Sequence, residues 1–150
     1  MRFLVILFLA VAALAQAPSQ TPPQTPPQAP PKTLQSVGTM SELMIEVIFP
    51  TSNEIFYVGR NENKTEKDWE DLRKNALMLA ESANLLMAEN RAKDKERWMI
   101  DARLLWEVGN KAFKFAKAKD LEAIKDLNAD LYEACQSCHE HYRPGYRRRL

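Results

Sequence analysis

The sequence is short of glycine, cysteine and histidine, and each scarcity narrows what the chain can be. Only four of its 150 residues are glycine, and no stretch alternates apolar and polar side chains as a half-buried strand does. Sheet architectures are therefore not expected. The two cysteines and two histidines all fall between Cys135 and His141, so a structural zinc ion would need nearly all of them at once. An excess of charge is missing too. The formal net charge is +1, and of the 21 lysines and arginines only Arg2 lies in the first 15 residues, so the remainder balances the 20 acidic side chains. Nothing in that total favours nucleic acid as a partner. Long apolar runs are also lacking: Phe3 to Leu14 is too short to span a bilayer comfortably.

What is present divides the chain into three parts. Met1-Arg2 is a short basic start, Phe3 to Leu14 an apolar run, and Ala13-Leu14-Ala15 a small-residue cleavage pattern. Residues 1–15 thus read as a signal peptide, the alternative being an uncleaved anchor. Removal of that segment leaves no stable membrane span and a periplasmic or otherwise exported protein. Residues 16–34 form a proline-rich linker whose core, PSQTPPQTPPQAPPK, has too few apolar side chains to offset chain entropy. A polyproline spacer is expected there, with a proline-motif ligand as the alternative. The folded domain should occupy residues 35–150.

Within the domain the apolar spacing is helical throughout. Residues 39–58 carry apolar side chains at 40, 43, 44, 47, 48, 55 and 56, with Thr39 or Ser41 as N-cap and Pro50 expected to kink or divide the helix at Phe49. Thr65 opens a second helix over 66–89, with Trp69, Leu72, Ala76, Leu79, Ala83 and Leu86 inward and acidic residues in its first turns. A third helix over 95–118 turns Trp98, Ala102, Leu105, Val108 or Gly109, Ala112, Phe113 and Ala116 inward. Asp120 caps a fourth, which presents Leu121, Ile124, Leu127, Leu131, Ala134, Cys135, Cys138 and Tyr142 and ends at Pro144-Gly145. The expected fold is all-α, an antiparallel four-helix bundle with a cofactor site between facing helices.

The chemistry concentrates in Cys135-Gln136-Ser137-Cys138-His139. Two thiols three positions apart, followed at once by an imidazole, are the arrangement that attaches a c-type haem. On a helix all three side chains meet one flat macrocycle, because residues three and four apart share a face. A disulfide or thiol-exchange pair is the alternative, although exchange sites of this spacing normally follow a strand in a βαβ unit and no such unit is read here.

CQSCHEHYR on the last helix, behind three earlier helices, resembles the cytochrome c-prime family, the class II c-type cytochromes. The resemblance spans about residues 39–148 and is specific at CxxCHxxYR. It implies that Cys135 and Cys138 are thioether anchors, that His139 is the proximal iron ligand, and that Arg143 lies beside the haem. It also implies a distal residue from the first helix, which falls at Met44, and a possible homodimer through the first two helices. Met40 falls where many members carry an arginine for a haem propionate, which leaves that contact to weaker substitutes in Lys32, Arg60 and the C-terminal arginines.

The sixth iron position can be reasoned about from the residues as well. His141 lies about 200° around the helix from His139 and cannot cap the opposite face of the same iron. A ligand from this chain must then be methionine, lysine or something rarer, and Met40 and Met44 sit one turn apart. Both could equally be core filler. With Met44 on iron the expected function is electron transport: an exported monohaem carrier, not an enzyme, cycling Fe(III) and Fe(II) and exchanging single electrons with redox partner proteins. With an open site, the expectation is a five-coordinate protein that binds nitric oxide or carbon monoxide.

Overall fold

The computed structural model describes residues 34–143. The expected signal peptide, nearly all of the linker, Lys32, the stop at Pro144-Gly145 and the basic cluster Arg147, Arg148 and Arg149 lie outside the described residues. Among those residues every regular element is helical and no strand occurs, so the protein is all-α there.

The first element begins as α1, Met40–Glu42. Thr39 caps it reciprocally: its hydroxyl accepts the Glu42 N–H at 3.2 Å, and the Glu42 carboxylate accepts the Thr39 N–H at 2.7 Å. The division expected at Phe49 takes the form of a change of helix type there: the chain widens into a π turn over Leu43–Ile48, in which the Phe49 N–H reaches back to the Met44 carbonyl, and runs on into α2, Phe49–Phe56. Pro50 is the physical reason. It has no N–H to give, and its ring would strike the carbonyl four residues earlier in a regular helix, so opening the ladder ahead of it avoids both problems. Thr51 and Ser52, buried just after the proline, satisfy their hydroxyls on backbone carbonyls of Val47 and Phe49 at 2.7 and 2.9 Å. A short 3₁₀ turn, Val58–Arg60, follows.

Two 22-residue helices form the main packing pair: α3, Glu66–Met87, and α4, Arg97–Ala118. Thr65 and Asp68 make a second capping box at the start of α3. The expected inward stripes are the observed core, with Leu72, Ala76, Leu79, Ala83 and Leu86 facing Trp98, Ala102, Leu105, Val108, Ala112 and Ala116. Each fully buried leucine contributes about 1.5–3 kcal/mol relative to exposure. Trp69 and Phe113, also expected inward, are only half-buried at the edge of that core. Gly109 sits at a close approach of α4 to α3: a Cβ there would lie 2.7 Å from the Ala80 backbone nitrogen. Trp98 closes one end of the pair by donating its indole N–H to the Leu86 carbonyl at 2.7 Å.

Lys119, in the left-handed region at φ 57°, ends α4, and Asp120 at once caps α5 by accepting the Ala123 N–H. The expected fourth helix is in fact two pieces. α5, Leu121–Asp126, and α6, Asn128–Tyr142, meet at Leu127, whose ψ of −8° breaks the regular ladder. The Asn128 amide donates to the Phe56 carbonyl at 3.3 Å, which ties the start of α6 to the end of α2. Ile124, Leu127, Leu131 and Ala134 are buried as expected, while Cys135, Cys138 and Tyr142 are half-buried and face the site described next.

Candidate functional site

A cavity of about 620 Å³ opens between the first helical segments and α6. Its α6 wall carries Cys135, Cys138, His139 and Tyr142, with Arg143 just beyond, and its opposite wall carries Met40, Met44, Ile45, Ile48, Phe49 and Phe56. Helical spacing accounts for the first set: positions 135, 138, 139 and 142 fall on one face. The second set depends on the π turn, since one extra residue in the turn rotates everything C-terminal to it. Volumes of about 300–1,000 Å³ are typical of small-molecule and cofactor sites.

All of the expected site residues therefore border one cavity. Met40 and Met44 both line it, and Met44 also lines a neighbouring pocket of about 40 Å³ together with Cys135, Cys138 and His139. Arg60, considered as a propionate contact, lies elsewhere and stacks its guanidinium 3.7 Å from the Tyr57 ring. Lys93 borders the cavity instead. It stands in the loop between α3 and α4, where no periodic pattern marks it.

Electrostatics at the motif follow from burial. Desolvation pushes the Cys135 thiol up to about 11. Cys138 is pushed to about 11 as well, first by burial and then by the charges of Asp101 and Cys135, with Arg97 acting the other way. Neither thiol has the depressed pKa of an exchange-active pair. Burial, and then the Arg143 guanidinium, lowers the pKa of His139, which favours the neutral imidazole needed to donate a lone pair to a metal. Among the described residues no three His, Cys, Asp or Glu side chains gather as a metal site.

Several supporting residues escaped the sequence reading. The Tyr142 hydroxyl donates to the Asp94 carboxylate, and its ring meets Trp98 edge-on with centroids 4.9 Å apart. The same Asp94 accepts the Glu96 and Trp98 N–H groups at 2.9 and 3.1 Å, so one side chain caps α4 and holds the end of α6. Asp101, on the inward face of α4, accepts the Ser137 hydroxyl at 2.8 Å. A polar residue within an apolar stripe was the available signal, but its partner 36 positions away was not readable.

Compared with protein-family models, curated proteins and solved structures, the chain matches none. Among the described residues no helix is long and apolar enough to cross a membrane.

Proposed function

We propose that this protein is an exported c-type cytochrome of the cytochrome c-prime kind, an antiparallel four-helix bundle that carries single electrons. One observation carries the reading: the Cys135-to-His139 motif and the two methionines, some 90 positions apart in sequence, line the same cavity. The residues fit a haem in two further respects. The volume lies in the cofactor range. Ile45, Ile48, Phe49 and Phe56 give apolar surface suited to a macrocycle, and Lys93 and Arg143 supply positive charge for its carboxylates.

Haem bound there would supply the Fe(III)/Fe(II) couple. Cys135 and Cys138 would tether it through thioethers, and His139 would offer the iron a neutral nitrogen. Met44 would be the second protein ligand to the iron in this reading, because it borders both the cavity and the small pocket shared with His139. The Asp94–Tyr142–Trp98 contacts hold the end of α6, and with it His139, in place. A histidine and a methionine held by the fold would leave little to rearrange on electron exchange.

A second reading has one observation in its favour. Beside Met44 the same wall carries Ile45, Ile48, Phe49 and Phe56, so an iron without the methionine would face a largely apolar surface able to take nitric oxide or carbon monoxide. Optical spectra of the haem-matured protein and of Met44→Ala separate the two. A low-spin ferric spectrum with a methionine-to-iron charge-transfer band, lost in the variant, is expected. A high-spin wild type that binds carbon monoxide readily would establish the second reading.

A further inference from the structure

We propose that Asp101 is a positioning residue for the cysteine-histidine turn, clamping it to α4 through Ser137 and holding a fixed negative charge beside it. This deepens the electron-carrier reading and rests on it. Asp101 is 1 % exposed, on a helix face otherwise made of Ala102, Leu105 and Val108. A buried carboxylate there is costly unless its partners are well placed, and an apolar residue would stabilise the core more simply. Its Oδ1 accepts the Ser137 hydroxyl at 2.8 Å and forms an ion pair with Arg97 Nε at 3.2 Å, while Arg97 donates its Nη2–H to the same Ser137 oxygen. Ser137 lies between the two cysteines. Any rotation of that turn breaks the triangle.

The other carboxylate oxygen is the telling atom. Asp101 Oδ2 is buried with no hydrogen-bond partner, and His141 Nδ1 stands 3.8 Å from it, too long for a hydrogen bond. Asp101 also borders the 40 Å³ pocket shared with Cys138, His139 and Met44. Arg97 does not cancel this charge at the pocket. Its side chain is 46 % exposed and screened by water, whereas that of Asp101 is fully enclosed. The remaining field is negative, and a negative field favours the more positive oxidation state of an iron held there.

The test is a potentiometric titration of the haem-loaded full chain at one fixed pH and salt, in wild type, Asp101→Asn, Ser137→Ala and Arg97→Gln. Asp101→Asn keeps the shape and an acceptor for Ser137 but removes the charge, so the midpoint should rise and the ferric-to-ferrous ratio at a fixed potential should fall several-fold. Arg97→Gln removes the exposed counter-charge together with the Nη2–H donated to Ser137 and should move the midpoint the opposite way. Ser137→Ala leaves the charge in place; it should broaden the low-spin spectrum through a looser turn and shift the midpoint less than Asp101→Asn does. Should Asp101→Asn fail to load haem, the sign of the Arg97→Gln shift still decides. Loaded variants with unchanged midpoints, or shifts of the same sign in Asp101→Asn and Arg97→Gln, overturn the proposal alone. A wild type that takes no haem overturns the functional reading and this proposal with it.

Discussion

Replacing Gly109 by alanine sets two well-characterised effects against each other. Alanine is favoured over glycine within a helix by about 1 kcal/mol. Opposing it, the new Cβ would stand 2.7 Å from the Ala80 nitrogen and 2.9 Å from its Cα, and both are backbone atoms that no rotamer change can move. Relief requires α3 and α4 to separate by roughly 1 Å to reach carbon contact distance, and a gap of that size forfeits about a quarter to a half of the dispersion energy along the seam. Overpacking of this kind costs about 1–3 kcal/mol, and the backbone contact puts this site at or above the upper end. The net loss is therefore about 2 kcal/mol, equivalent to a fall of about 8 °C in Tm for a domain of some 100 residues. Thermal and urea unfolding followed by far-ultraviolet circular dichroism would measure it, with both proteins in the same haem state. Adding Ala80→Gly should not rescue the loss, because the closest atoms belong to the Ala80 backbone. A Gly109→Ala protein as stable as wild type would refute the reasoning, showing that the two helices yield easily.

Thr39→Ala removes the reciprocal cap at the start of α1 and should cost about 1 kcal/mol. Its signature is faster amide exchange at residues 42–44, the turn that carries Met44, with the α3–α4 core unaffected. In protein isolated without haem, the two thiols should react slowly with iodoacetamide at pH 8 and much faster as the pH approaches about 11. The sign of the linked stability follows. A thiol whose pKa is raised by folding stabilises the native state below the ordinary thiol range, and that contribution is lost as pH climbs through about 11. Fast alkylation at pH 8 in folded protein would show the thiols to be activated, and would move the reading toward thiol exchange. Protein matured with haem should not react at all, since thioethers carry no thiol.

Local chemistry was legible in the sequence because it needs no distant partner. Thr39, Thr65 and Asp120 cap helices through residues three positions on, and the stripes of α3 and α4 announce their buried faces by period alone. The cysteine-histidine motif needs only one helical turn to bring its side chains to a common face. Pro50 signalled a disturbance correctly, but whether the chain would kink, break or widen depended on what packs around it, and the π turn was the outcome. The division of the last helix at Leu127 has the same origin: Asn128 is tied to Phe56, and no periodicity within 120–142 contains that contact.

The composition of the site was set by tertiary structure. Met40 and Met44, one turn apart, could be proposed for one wall from the sequence, yet the presence of Lys93 at the cavity and of Arg60 away from it follows from chain paths that sequence does not encode locally. Asp101 owes its place on the inward face of α4 to Ser137 and Arg97, and Gly109 owes its own to the Ala80 backbone opposite. The sequence by itself determined the helical class, the caps at Thr39, Thr65 and Asp120 and the reactive motif, all of which close within a turn or two of chain. Only the tertiary structure decided which side chains meet across the cavity, because such contacts join residues tens of positions apart and depend on the packing of the whole core.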